Sequence, residues 1–339
     1  MIRQTVKTDC DIASPQTRNQ QSLWGLLILA AVVILSGTSC RALFAGPIRA
    51  GAAKIDITNR SAGPVNDPLF AKALVLADGT TTVAVITVDA VAIGEIGGIH
   101  NNFLPNVRAR LQRDLKIDPP HVLVNASHCH GIVCGDIEDR TVRAVQQAYQ
   151  AMVPVRIGAG AGHEDRIMQN RRMKLKSGRE VDVRHAYSLP PDAEVAEVGP
   201  TDPQIGLLRL CREDGRTLAV VYNFACHPIQ GVPSRGNTAD LVGFASRVIE
   251  ENLGSGAIAL FLQGCGGDIN PIGYKDVDHP RDAEPLGNLL GLSALRGIRQ
   301  ISCGPDSRLA IRHQTLALPR ADFAQRIAEM DSEIGRAHV

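Results

Sequence analysis

No charge of either sign dominates this sequence. In 339 residues, 36 lysines and arginines face 35 aspartates and glutamates, a formal charge of +1, and no basic run exceeds two residues. A polyanion-binding stripe leaves no footprint here, which sets nucleic acid aside as a partner. None of the eight cysteines forms a C-x-x-C pair, so the chain is not the dense framework of a small stapled fold. No glycine-rich stretch carries the Lys-Ser/Thr of a phosphate loop or the spacing of a dinucleotide fingerprint, so no nucleotide is expected. Internal repeats and low-complexity blocks are also missing. What is present is ordinary globular composition, 44% hydrophobic and 21% charged, in a chain long enough for one large domain or two modest ones.

The longest uncharged apolar run, Leu23 to Leu35, has thirteen residues, short of the roughly twenty needed to cross a bilayer as a helix. Arg3, Lys7 and Arg18 precede it and the small residues Ser36 to Ser39 follow, the layout of an export signal. Residues 1–45 are therefore read as an address. Three endings compete: cleavage near Ala42 or Ala45, lipid attachment at Cys40, and an uncleaved membrane anchor. The expected location is periplasmic, extracellular or membrane-anchored through the N-terminus. At the other end, residues 333–339, Glu-Ile-Gly-Arg-Ala-His-Val, are what GAG ATC GGA AGA GCA CAC GTC encodes, a string containing a common sequencing-library adapter. That tail is read as non-native, His338 is not counted as a ligand, and the natural protein is expected to continue beyond Ser332.

Between these ends, short apolar stretches alternate with amphipathic ones. Strands are expected at Ala73–Leu76, Thr82–Val88, His121–Ala126, Val155–Ala159, Ile205–Cys211, Leu218–Ala225 and Ala257–Leu262, with Asp78-Gly79 closing a hairpin. Helices are expected at Phe103–Leu115, Arg140–Met152, Gly243–Asn252 and Pro285–Ile301, and a long surface loop at Ser188–Pro203. This pattern implies an α/β domain, a mixed β-sheet core flanked by helices, with its site at the carboxyl ends of strands.

Three strand ends carry chemistry. The first runs into Ser127-His128-Cys129-His130, where extended backbone would turn both imidazoles to one face, a metal-ligand arrangement. The second ends in Cys226-His227-Pro228, leaving another imidazole at the mouth; Cys129 and Cys226 read as buried small hydrophobes. The third enters Gln263-Gly-Cys-Gly-Gly-Asp-Ile-Asn-Pro271, whose backbone N–H groups could hold an oxyanion. Asp89, Asp240 and Asp268 read as helix caps or loop hydrogen bonders, and Arg172 as a solvated neighbour of Arg171.

Together, Ala52–Thr58, Asp67–Leu76, Ser127–His130, Asn170-Arg171, Asn223–Pro228 and Gly267–Pro271 resemble the N-terminal catalytic domain of the neutral/alkaline non-lysosomal ceramidases. The resemblance implies one incomplete catalytic domain over residues 50–332, hydrolysis of the amide of an N-acylsphingosine, and one zinc ion. His128 and His227 match the two histidine ligands; the remaining Glu and Tyr ligands of the family have no counterparts before Ser332. His130 and Arg171 match the pair that orders the reacting amide and its developing oxyanion. A lipid-like N-acyl substrate and contact with a membrane surface follow, and the fragment alone is expected to be inactive because two histidines hold zinc weakly.

Two departures change the expectation. Asn270 stands where the family has a serine, and an amide does not attack a carbonyl, so the expected nucleophile is zinc-activated water, with Asn270 hydrogen-bonding substrate. The family's His-Thr-His-Ser-Gly-Pro is here His128-Cys-His-Gly-Ile-Val133, which alters the floor beside the metal and opens the substrate to a different N-acyl compound. Two other readings compete. A metal-dependent amidohydrolase barrel would place H-x-H on an early strand and add a ligating lysine, neither of which fits; a family member that lost catalysis and binds lipid or envelope material is supported by Asn270.

Overall fold

The computed structural model describes residues 47–182, 190–231, 236–272 and 282–305, and beyond these 309–315, 317, 322–325 and 327–328. The address region and the adapter-like tail lie outside the described residues. Among the described residues no helix is long and apolar enough to cross a membrane.

The chain forms β1 (Arg49–Asp56), β2 (Phe70–Ala77), β3 (Thr82–Val88), α1 (Phe103–Leu115), β4 (Val122–Ala126), α2 (Ile137–Gln150) and β5 (Val153–His163). There follow the short strands β6 (Met168–Asn170), β7 (Arg172–Leu175), β8 (Glu180–Asp182) and β9 (Val195–Val198). The remainder is β10 (Gln204–Arg212), β11 (Thr217–Phe224), α3 (Asp240–Leu253), β12 (Ile258–Gln263), β13 (Ile269–Pro271) and α4 (Glu284–Ile298). Eight strands make one mixed sheet in the order β12-β11-β10-β5-β1-β2-β3-β4, parallel only at its two ends, β3 with β4 and β11 with β12.

The sheet is folded over at its middle, where β1 and β5 share only the pairs Arg49↔Pro154 and Ala50↔Val153. Its two halves therefore stack, and Leu74, Leu76, Leu210, Val221 and Leu260 form one apolar layer between them. Outside one half, α1 and α2 pack Phe103, Val107, Leu111, Val142 and Val145 onto Ala71, Ala73, Ile86 and Val88. Outside the other, α3 and α4 pack Leu241, Ala245, Ile249, Leu290 and Ala294 onto Val220, Tyr222 and Phe261. The result is four layers, α/β/β/α. Strands covered on both faces explain the near-continuous apolar runs that make them legible in sequence.

Polar residues on the inner faces have a common purpose. Strand β12 is an edge of the ladder, and its unpaired carbonyls accept hydrogen bonds from the opposite half. Lys72 Nζ donates to Ala259 O at 2.9 Å, Thr87 Oγ1 to Phe261 O at 2.7 Å, and Asn125 Nδ2 to Phe261 O at 3.0 Å. Gln263 N donates back to Asn125 Oδ1 at 3.1 Å. Buried backbone acceptors are thus satisfied, and the carboxyl ends of β4 and β12 are held side by side.

Most expected elements match closely, and the Asp78-Gly79 hairpin forms, with Thr80 and Thr81 N–H groups bonded to Asp78 Oδ1 and Gly79 at φ 90°. Four differences have physical causes. Strand β1, rich in Ala, Gly and charge, was not expected, yet it pairs with all of β2, and Gly51 lets α2 approach and cover it. Strands β6, β7, β8 and β13 are too short to show a period. The expected surface loop at Ser188–Pro203 contains β9, paired with β7; its first residues lie outside the described residues. Cysteine pairing was left open by spacing, and Cys211 and Cys303 form a disulfide across 92 residues, while Cys129 and Cys226 are buried and free.

Candidate metal centre

Beyond the carboxyl ends of β4, β11 and β12, three histidines converge. His128, His130 and His227 each offer a ring nitrogen, and these atoms all lie within 4.8 Å of one another. Ring centroids are 4.5 Å apart for His128 and His227 and 6.0 Å for His128 and His130.

Extended backbone is not what turns the two histidines of the first loop together. Strand β4 ends at Ala126, and His128 adopts φ 69°, the left-handed region, so period-two alternation does not apply. This local strain is maintained by backbone bonds from Ser127 N to Val88 O and from His128 N to Ala90 O, both 2.9 Å. Cys129, between the two histidines in sequence, is buried in the core.

The outer ring nitrogens set the chemistry of the inner ones. His128 Nδ1 donates to Val91 O at 2.6 Å and His227 Nδ1 to Gly266 O at 3.1 Å. In a neutral imidazole so oriented, Nε2 carries the lone pair. The two Nε2 atoms face each other at 3.0 Å. Two lone pairs at that separation repel unless a cation lies between them. Nitrogens on a tetrahedral zinc, with bonds of about 2.0–2.1 Å, stand about 3.3 Å apart, so the pair fits a zinc ion after a small outward movement. Backbone carbonyls behind ligating histidines are the usual means of fixing tautomer and ring angle.

Burial pushes the His227 imidazole down to about 4, with His128, Arg171 and His130 adding repulsion against the Gly266 carbonyl's opposing effect. Burial and His128 lower His130 as well. Both shifts favour the neutral, metal-binding form at neutral pH.

Asn270 lies on the small β6–β13 ribbon and Arg171 directly follows β6, beside His227, whose N–H donates to Ile269 O at 2.8 Å. The Arg171 Nε lies 3.2 Å from Asp182 Oδ1 without the alignment to donate to it. Asn270 is 8% exposed, and its Oδ1 is buried with no partner among the described residues. Arg172 is exposed and pairs with Asp268 at 3.3 Å. Asp89 is buried and accepts from Phe70 N, and Asp240 accepts from Gly231 N and Leu241 N, so both serve as loop hydrogen bonders.

The glycine loop behaves differently from the sequence expectation. Gly264 N donates to Phe224 O and Gly266 N to Gly264 O, so these two N–H groups are not free for an oxyanion. What the loop contributes is a carbonyl, Gly266 O, behind His227. Glycine is required there because a Cβ at 264 or 266 would meet the backbone of β11 and Cys226 within about 3 Å. Val91 O and Gly266 O were missed in sequence, since backbone acceptors leave no residue-type signal.

Fold and site together define an α/β/β/α protein with a three-histidine candidate metal centre at its strand ends. No family model matches the sequence, and no curated protein matches it. Solved structures do. The chain is similar to a ceramidase complexed with C2, with a TM-score of 0.60, 20% identity, and coverage of 75% of this chain and 44% of that one. A second similar structure is the neutral ceramidase from Pseudomonas aeruginosa, with a TM-score of 0.58, 20% identity, and coverage of 75% and 45%. The chain therefore has the fold of part of a neutral ceramidase and spans less than half the length of those relatives.

Proposed function

We propose that the chain is the metal-holding part of an exported zinc-dependent hydrolase of ceramidase type. The bond cleaved is a C–N amide in N-acylsphingosine or a related N-acyl compound. The observation that carries this reading is the His128–His227 pair, whose two Nε2 lone pairs are aimed at each other across 3.0 Å by the carbonyls of Val91 and Gly266.

In this reading His128 and His227 hold the zinc ion. The metal, when bound, supplies Lewis acidity toward an amide carbonyl and makes a water molecule acidic enough to attack near neutral pH. His130 and Arg171 order the amide and the negative charge that develops on its oxygen. Asn270, with a buried and unpartnered carbonyl oxygen, accepts a hydrogen bond from a substrate hydroxyl or N–H. The shared fold with a ceramidase solved in complex with C2 supports a lipid-like N-acyl substrate. Export is supported by the Leu23–Leu35 run and its flanks. The chain by itself is proposed to be inactive, since imidazoles alone hold zinc more weakly than a completed four-ligand site.

The replacement of the family serine by Asn270 favours a second reading, a protein that keeps the frame and binds lipid or envelope material without turnover. Equilibrium dialysis against zinc followed by elemental analysis tests the main reading. Binding in the parent that is lost in both His128→Ala and His227→Ala supports the metal centre and justifies assays on N-acyl lipids. A folded full-length protein that takes up no zinc removes the hydrolase and leaves the binding protein.

A further inference from the structure

The three histidines are held in two different ways. His128 and His227 are anchored through their rings, each Nδ1 donating to a backbone carbonyl. Among the described residues, the exposed His130 ring makes no hydrogen bond, so what keeps it within reach of the other two is the backbone that carries it. That backbone is clamped two residues further on by one side chain. Asn237 Oδ1 accepts from Ile132 N at 2.8 Å, and Asn237 Nδ2 donates to Ile132 O at 2.9 Å and to Asn59 O at 3.1 Å. The carboxamide thereby imitates a strand partner for Ile132, using both its donor hydrogens and its acceptor.

Asn237 is itself immobilised. It is 5% exposed, its N–H donates to Pro64 O at 2.7 Å, and its carbonyl accepts from Asn66 N at 2.9 Å. The next residue, Thr238, donates through Oγ1 to the buried Asp67, which also accepts from Ala239 N at 3.1 Å. A second, independent feature shows how tightly the His130 loop is seated on this segment. A Cβ at Gly131 would come within 2.7 Å of Thr238 O and 2.5 Å of a Leu69 methyl. Only glycine fits between His130 and Ile132.

We propose that Asn237 is the positioning residue of the site, holding His130 against the His128–His227 pair through Ile132. The proposal rests on the reading of His130 as a working member of that centre, but it concerns placement and is measured without metal.

The test uses the full chain, metal-free, with histidine ring protons assigned by NMR and the His130 signals identified by their loss in His130→Gln. The parent is expected to show nuclear Overhauser contacts from the His130 ring to the His128 and His227 rings. Asn237→Ala is expected to lose them while its circular dichroism stays that of the parent. Gly131→Ala, which lifts the same loop without touching Asn237, is expected to lose them too, and it decides the matter should Asn237→Ala fail to fold. Retention of the His130 contacts in a folded Asn237→Ala or, in that case, in Gly131→Ala, or their absence from the parent, overturns the proposal. A parallel titration of the parent with Co2+ reports on the metal centre alone, so contacts present without Co2+ binding would retain the positioning role and count against a metal centre in this chain.

Discussion

His128 Nε2 and His227 Nε2 stand 3.0 Å apart although 99 residues separate them in the chain and they leave opposite halves of the folded-over sheet. Each ring is oriented from behind, so the contact is a prepared gap between two lone pairs. Removal of either ring should cost more zinc affinity than the about 10–100-fold that follows loss of a supporting hydrogen bond. His130→Ala, which keeps both anchored rings, should cost less than about tenfold on the same scale. Competition titration against a chelator of known affinity checks the order; equal losses in all three variants would contradict it.

The gap exists because Asn125 holds the ends of β4 and β12 together. Asn125→Ala removes its bond to Phe261 O and leaves Gln263 N without its acceptor. An unmade buried hydrogen bond of this kind costs about 1–3 kcal/mol. Urea unfolding should show that loss, and amide exchange at Gln263 should quicken. Zinc affinity should fall as well, since His128 follows β4 and the Gly266 carbonyl follows β12.

Helices α3 and α4 touch through glycine. A Cβ at Gly291 would lie 2.8 Å from Val248 Cβ and 2.9 Å from Ala245 O. Alanine favours a free helix over glycine by about 1 kcal/mol, yet overpacking costs about 1–3 kcal/mol, so Gly291→Ala should destabilise on balance. A raised urea midpoint would mean that the two helices separate at no cost.

Glu164 supplies a pH signature. Its carboxylate is buried, which opposes ionisation, but hydrogen bonds from Arg166 and Ser293 outweigh burial and bring it down to about 2. The folded value lies below the ordinary one, so the unfolded chain binds the proton first. The contribution to stability is therefore complete above pH of about 4.5 and is lost as pH falls toward about 2. Glu164→Gln should lower the melting temperature at pH 7, and the difference from the parent should shrink below pH 4.5. A difference that stays constant down to pH 3 would refute the assignment.

Much of this molecule was legible residue by residue. Thr82–Val88 and Phe103–Leu115 appear with the bounds their apolar pattern implies, because β3 is buried on both faces and α1 places Phe103, Val107 and Leu111 one turn apart on one side. The histidine pair was suggested by two strand ends, one broken by Pro228. Strand β1 was not legible, as Arg49 to Asp56 gain their burial from α2 and β2 rather than from their own hydrophobicity. Of the N–H groups in the glycine loop, those of Gly264 and Gly266 are spent on the turn itself and are withdrawn from any oxyanion role.

Sequence alone determined which segments are strands and helices and which side chains have the chemistry of a metal site, since periodicity and residue type are local properties. Tertiary structure decided that the sheet folds over, that Asn125 joins its ends, and that His128 takes a left-handed backbone. It also decided that the carbonyls of Val91 and Gly266 aim two of the imidazoles and that Asn237 clamps the loop carrying the third. Those are relations between residues tens to hundreds of positions apart, each with a backbone group that every residue carries on at least one side, and only folding brings them into register.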